Sequence, residues 1–230
     1  MNKIALLTSL TVTISALMTG CSSDDISPFT SGRASSSNII SDSKFAVAAS
    51  DLNPQVRDVA NNVTYGGIEV TITASAGDKD NAFVTSGTIH FATEYGYLSA
   101  SSCNLDSTGS CSITWYSIAD ASSLPSNGDL INSITAWTYG EESYFDLDGD
   151  GTFSDADGVQ LTDTGEPFKD IDHDGIYTAG IDIPIHTDGD GVYTPANGKF
   201  DGSSCTRSNS AECGNSQIAI YDLVELNLAF

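Results

Sequence analysis

Sixteen of the thirty-one acidic residues of this chain lie between Glu141 and Asp201, against two lysines, and they alternate with other residues ahead of glycines. The runs are Asp146-Leu147-Asp148-Gly149-Asp150-Gly151, Asp170-Ile171-Asp172-His173-Asp174-Gly175 and Thr187-Asp188-Gly189-Asp190-Gly191. So dense a polyanion does not stay compact unaided. Carboxylates at i, i+2 and i+4 before a glycine can fold inward around one hard cation, because the glycine permits the sharp turn that brings the next carbonyl and a later acid onto the same ion. The segment therefore reads as a set of calcium sites, holding about three ions.

In the first run Asp146, Asp148 and Asp150 take places one, three and five of a twelve-residue calcium loop, Gly151 the sixth, the Thr152 carbonyl the seventh, the apolar Phe153 the eighth and Asp157 the twelfth. The second run has Asp170, Asp172, Asp174 and Gly175, then the Ile176 carbonyl and Tyr177, but Ile181 holds the twelfth place and the acid, Asp182, falls one later. The third begins with His186 where an acid is wanted and keeps Asp188, Asp190, Gly191, the Val192 carbonyl and Tyr193. Asn197 is its twelfth residue, so Asp201 is expected to close it, and Glu166 to serve a neighbouring ion. No helical pattern flanks these runs, which suggests calcium-wired turns stacked on one another with Phe153, Tyr177 and Tyr193 packed at equivalent places. Without the usual closing glutamate each site is expected to bind at about 10⁻⁴–10⁻³ M, as extracellular modules do. A cage of carboxylates and carbonyls suits calcium better than magnesium. His173, at the variable fourth place, is expected in solvent; His186 is the residue to which a softer metal would turn.

The first twenty residues hold Lys3, an apolar run from Ile4 to Met18, and the ending Leu17-Met18-Thr19-Gly20-Cys21. The run is short for a transmembrane span and reads as a signal peptide over residues 1–20. Its ending resembles the cleavage box of bacterial lipoproteins, which implies acylation of Cys21 and attachment to a membrane through the acyl chains. Ser22 next to that cysteine implies sorting to the outer membrane, on its periplasmic face or at the cell surface. Removing residues 1–20 takes away one lysine and no acid, so the formal charge moves from −23 to −24. Nucleic acid is a poor partner for such a body. Nine of the twenty-two residues from Ser22 to Ser43 are serine, giving a flexible tether over residues 21–43. The other cysteines form two pairs, Cys103 with Cys111 and Cys205 with Cys213, each enclosing seven residues. In an oxidising compartment local disulfides are expected.

Residues 44–230 show period-two alternation: Phe45 to Val47, Ile68 to Ala74, Thr88 to Ala92, Ser112 to Tyr116, Ile131 to Tyr139 and Gln217 to Leu228. Short strands separated by Gly, Asn, Asp and Ser turns predict an all-β antiparallel sandwich. The acidic segment, residues 141–203, falls before the last strand, as an insertion in one hairpin at one end of the sandwich.

The stretches Gly67-Ile68-Glu69-Val70-Thr71-Ile72-Thr73-Ala74, Gly87-Thr88-Ile89-His90-Phe91-Ala92-Thr93, Gly109-Ser110-Cys111-Ser112-Ile113-Thr114-Trp115 and Ile134-Thr135-Ala136-Trp137 resemble bacterial immunoglobulin-like domains of the invasin and intimin type. The continuation Gly140-Glu141-Glu142-Ser143-Tyr144-Phe145-Asp146 is similar to an acidic insert of envelope proteins that carry these domains. The resemblance implies an immunoglobulin-like sandwich with structural or adhesive work, engaging an envelope or surface protein or a glycan. The alternatives are a passive component of an envelope assembly and a calcium-dependent accessory or inhibitor of an exported enzyme. No nucleophile with base and orienting acid, and no phosphate loop, is placed by the local sequence, so an enzyme is not expected. Glu141 and Glu142, as neighbours in an extended strand, would point to opposite faces rather than share a substrate.

Overall fold

Alternating β-branched residues and glycine-rich turns produce strands of the expected kind and, among the described residues, nothing else of length. In a computed structural model, which describes residues 38–124 and 130–229, the strands are β1 (Phe45–Ala49), β2 (Arg57–Asp58), β3 (Val63–Thr64), β4 (Glu69–Ala76), β5 (Thr88–Thr93), β6 (Tyr97–Leu98), β7 (Ser102–Asn104), β8 (Ser110–Tyr116), β9 (Ile131–Gly140), β10 (Phe168–Lys169), β11 (Ile183–Pro184) and β12 (Ile218–Asn227). Two antiparallel four-stranded sheets, ordered β1-β4-β8-β6 and β12-β9-β5-β7, make an all-β sandwich. Among the described residues no helix is long and apolar enough to cross a membrane. The signal segment, Cys21 and the tether as far as residue 37 lie outside the described residues.

The side chains that alternate inward meet in one core. Ile72, Ile89, Trp115, Ile134, Ile220 and Leu226 are wholly buried there. Each large apolar side chain removed from water contributes about 1.5–3 kcal/mol, so this cluster alone orders the two sheets. The tryptophan indole keeps its donor satisfied by giving its Nε1 proton to the Tyr95 carbonyl at 2.8 Å. At one edge the sheets are clasped by a polar contact, the Val47 amide donating to Asp222 Oδ2 at 2.8 Å. The folded body starts earlier than the expected end of the tether at Ser43. Ile40 belongs to the core and Ser41 forms a parallel bridge with Glu141.

Strands β9 and β12 pair over their full length, Ile218 opposite Gly140 through Asn227 opposite Ile131. Everything from residue 141 to residue 217 is therefore an excursion from one hairpin, longer than the expected 141–203 because the Cys205–Cys213 loop belongs to it. It does not stay at one end of the sandwich. Thr135 of β9 donates its hydroxyl to the Phe168 carbonyl at 2.6 Å, and the Phe168 ring packs edge-on against Tyr221 of β12. The excursion thus folds back over the outer face of the β12-β9-β5-β7 sheet. That cover explains why β9 buries Ser133 and Thr135, on the face opposite to the inward Asn132, Ile134, Ala136 and Thr138.

Both local disulfides are formed, Cys103–Cys111 and Cys205–Cys213, each with Cα atoms 5.9 Å apart. The first joins β7 to β8 and so ties an edge of one sheet to the other.

Candidate metal centre

Each acidic run forms a turn in which aspartate side chains hold the backbone that follows them. Gly151 and Gly175 donate to the aspartate five residues earlier, Asp146 Oδ2 at 3.0 Å and Asp170 Oδ2 at 2.8 Å. Thr152, Ile176 and Val192 donate to Oδ1 of the aspartate two residues earlier, Asp150, Asp174 and Asp190, at 2.7, 2.8 and 2.7 Å. Gly151, Gly175 and Gly191 have φ between +74° and +80°, a region that costs a residue with a Cβ and not glycine. Glycine after three alternating acids is therefore a backbone requirement.

A second carboxylate closes each turn by a repeated device. In the first, Asp157 takes the amides of Leu147 (3.0 Å) and Ser154 (2.6 Å), at places two and nine. In the second, Asp182 takes those of Ile171 (2.8 Å) and Thr178 (2.6 Å), again at places two and nine. In the third the same two places, Thr187 and Thr194, donate to Glu166 at 2.9 and 3.1 Å. The closing acid of the third turn is thus Glu166, which precedes the turn in sequence, and not Asp201. Neither Asn197 nor Asp201 belongs to that turn.

Those two residues belong to a fourth, split turn that the sequence reading did not find. Glu142 accepts from the amides of Thr164 (2.7 Å) and Asp201 (2.8 Å), and Asp163 accepts from Gly198 at 3.0 Å. Asn197 Oδ1 accepts from Lys199, two residues on, at 2.7 Å, and Gly198 has φ +74°. Asp163 and Thr164 stand at places one and two, while Asn197 to Asp201 stand at places five to nine. Between the halves lie the entire second and third turns. The one signal available in the sequence is the echo of Asp150-Gly151-Thr152-Phe153 in Asn197-Gly198-Lys199-Phe200.

The turns associate in pairs through their eighth residues. Tyr177 and Tyr193 stack with centroids 3.6 Å apart, while Phe153 meets Phe200 at 4.8 Å. The phenylalanine pair is fastened from behind, because Phe153 bridges to Cys205 and Phe200 to Cys213, the two ends of one disulfide. Tyr144 packs against both rings and the Arg207 guanidinium lies 4.6 Å from the centre of the Phe153 ring. The expected threefold equivalence of Phe153, Tyr177 and Tyr193 is replaced by two pairs, with Phe200 as the missing partner.

Two sets of carboxylates converge closely enough to hold an ion. Oxygens of Asp146, Asp148 and Asp157 lie within 4.8 Å of one another, as do those of Asp170, Asp172 and Asp174. Asp150 and Asp182 are outside these sets. Among the described residues the third turn, with Asp188 and Asp190, forms no such set. The first set is mostly exposed, whereas Asp170 is 2% exposed and its Oδ1 has no hydrogen-bond partner. Burial, followed by the charges of Asp174, Asp182 and Asp170, raises the Asp172 carboxyl above its ordinary range. The place-seven residues Ile176 and Val192 send their side chains into solvent, at 68% and 65% exposure.

The histidines divide. His173 is buried, not solvated: its side chain is 5% exposed and its ring nitrogens lie 3.7 Å from Glu94 and from Glu225 of β12. It pins the second turn to the sandwich. His186 Nδ1 lies 3.7 Å from Glu166 Oε2, and the ring of His90 stacks on Trp137 at 5.4 Å. Glu141 and Glu142 are both buried, and they engage different partners: Glu142 closes the split turn, and Glu141 accepts from the Ser203 hydroxyl at 3.3 Å. Burial pushes the Glu142 carboxyl up to about 7 in spite of its amide donors.

Two surfaces flank these turns. Tyr144 and Gln160 form an antiparallel bridge, which sets Phe145, Val159 and Leu161 on the side away from the Phe153–Phe200 pair, with Leu147 beside them. All four are 47–69% exposed. By the third turn a cleft of about 220 Å³ is lined by Tyr139, Glu166, Asp188, Asn215 and Gln217, among others.

No protein-family model, no curated protein and no solved structure matches this chain.

Proposed function

We propose that this chain is an envelope lipoprotein, lipid-anchored at the outer membrane through Cys21, whose immunoglobulin-like sandwich carries a calcium-organised insert that binds a surface protein or glycan. The observation that carries the calcium reading is Asp170. A carboxylate 2% exposed, with one oxygen lacking a hydrogen-bond partner and two more aspartates converging on it, is costly unless a cation completes the set. All the donors are oxygens, in a loop rich in carboxylates, and calcium suits that chemistry best.

A binding role is favoured over a passive one by the apolar group Phe145, Leu147, Val159 and Leu161. A monomer rarely leaves such side chains contiguous in water without a use for them. The cleft beside Tyr139, with an aromatic ring among amides and acids, has the composition that sugar hydroxyls require. The anchor and the immunoglobulin-like relationship rest on the sequence motifs alone.

Calcium titration by calorimetry, on the wild type and on Asp170→Asn, tests the central claim. Saturable binding weakened at least tenfold in the variant is expected. No calcium heat in the wild type, together with an unchanged proteolysis pattern over residues 141–217 in chelator, overturns it.

A further inference from the structure

At the junction of insert and sandwich, outside the four turns, a second buried carboxylate has an oxygen with no hydrogen-bond partner. Asp78 follows β4 and is fully buried. Its Oδ1 accepts the amides of Asp80 at 3.0 Å and Ala82 at 2.9 Å, which fixes the turn that leads toward β5. Its Oδ2 is buried and has no hydrogen-bond partner.

The backbone brings another buried acid to the same place. The Ser41 amide donates to the Gly77 carbonyl at 3.0 Å, just before Asp78, and residues 40–42 also grip Glu141. The Glu141 amide donates to Ile40 and the Asp42 amide to the Glu141 carbonyl, at 2.8 and 2.9 Å. Glu141 is 2% exposed, and its carboxylate accepts from Ser203, from the backbone amide and from the hydroxyl at 3.3 Å. Burial raises its carboxyl above the ordinary range, the Ser203 hydrogen bonds and the charge of Lys79 oppose that rise, and the charge of Asp78 adds to it. Lys79 thus acts on Glu141 in the opposite sense to burial, but Asp78 Oδ2 receives no hydrogen bond from it. The Lys79 ammonium lies over Gly151 in the first turn and 3.8 Å from Asp80, with the side chain 23% exposed.

We propose that Asp78 and Glu141 together hold a further hard divalent cation, calcium by the chemistry of the donors, which joins the β4–β5 turn of the sandwich to the root of the insert. Carboxylate and hydroxyl oxygens offered by Asp78, Glu141 and Ser203 make an all-oxygen set of the kind that takes calcium. A cation there answers the oxygen of Asp78 that Lys79 leaves without a hydrogen bond, and the buried Glu141 carboxylate, at once. This site shares no residue with the aspartate turns, although Glu141 adjoins Glu142, which closes the split turn. It lies where the last residue of β9 gives way to the insert, so its ion would be structural, fixing the angle at which the insert leaves the sheet.

The test is a count of bound calcium, by elemental analysis after dialysis against a saturating calcium buffer, for wild type, Asp78→Asn, Glu141→Gln and Asp170→Asn. Asparagine at 78 keeps the oxygen that accepts from Asp80 and Ala82, so the turn survives, and melting in calcium and in chelator reports on folding. Asp78→Asn and Glu141→Gln are each expected to carry one ion fewer than the wild type and to gain less melting temperature from calcium. A full complement in either folded variant overturns the proposal. So does a higher melting temperature of both variants in chelator with the ion count unchanged, the signature of a pair that shares a proton instead of a metal. If Asp170→Asn loses an ion while Asp78→Asn keeps all of its own, the turns bind calcium and this site does not. If none of the variants loses an ion, both readings fall.

Discussion

The sandwich and the insert solve the same problem, holding a chain in one shape, with opposite materials. In the sandwich, Trp115, Ile72, Ile89 and Ile134 are excluded from water and the strands pair in long registers. In the insert the longest strands are two residues, and the ordering contacts are carboxylates that grasp backbone amides. Apolar burial is non-directional and tolerates the sheet's slow curvature. A carboxylate closing a turn is directional and fixes two amides at once, but it accumulates negative charge, and that charge has to be answered. A fold built the second way is conditional on its counter-ions; one built the first way is not.

The contrast breaks most violently at the core. Trp115→Ala is expected to destabilise the sandwich by about 3–5 kcal/mol, by the same amount in calcium and in chelator, as read from chemical denaturation followed by a sandwich probe. A loss that depends on calcium would mean that the two regions do not fold separately.

In the insert the equivalent loss comes from a polar residue. Asp182→Ala strands the amides of Ile171 and Thr178, a cost of about 3 kcal/mol confined to the excursion. Hydrogen exchange should show lost protection around residues 170–185 with β4, β8 and β9 unchanged. Protection lost from those strands as well would place the boundary between the regions elsewhere.

Replacing Cys205 and Cys213 by serine removes the strap behind the Phe153–Phe200 pair. A closed loop of this size contributes about 2.5 kcal/mol on the chain-entropy model. Proteolytic cutting should rise at residues 146–157 and 197–213 and leave the Tyr177–Tyr193 pair resistant, since that pair does not touch the disulfide. Equal cutting in both pairs would show that the four turns open as one unit.

The smallest effect is one of pH, and its sign separates the regions. Burial raises the folded carboxyl of Glu142 to about 7, above the value near 4.5 of an unfolded chain. The stability linked to that proton is fully present below about 4.5 and is lost as pH rises through about 7. In chelator the insert should therefore become more protease-sensitive from pH 5 to pH 8, with the core probe flat. Sensitivity that falls over that interval would contradict the assignment.

How much of this was legible in the sequence follows from the same contrast. Strand β4 alternates buried and exposed residues almost perfectly and could be read directly. Strand β9 has the same β-branched composition but is buried on both faces, because Phe168, thirty-three positions after Thr135, covers it; alternation cannot announce a cover that the chain supplies later. The first turn was visible because its acids, glycine and closing acid are contiguous. Glu166 escaped assignment to the third turn because it precedes it, and the Asp163 half of the split turn because its partner Gly198 lies thirty-five residues on. His173 was misplaced because the fourth place of such a loop usually faces water, while here the loop lies against Glu94 and Glu225. Local spacing reports a turn's chemistry; it does not report which surface the turn is laid upon.

The split turn has a consequence for how such a chain can grow. Places one and two are Asp163 and Thr164, and places five to nine are Asn197 to Asp201. Excising residues 165–194 would leave Asp163-Thr164-Pro195-Ala196-Asn197-Gly198, with every place filled in uninterrupted order and Glu142 still able to close it. The Tyr177–Tyr193 pair is thus a parenthesis opened inside another turn, itself inside the β9–β12 hairpin. Insertions of this kind nest without shifting the register of the strands that enclose them, so a lineage can lengthen its acidic arm by whole modules while the platform beneath stays the same.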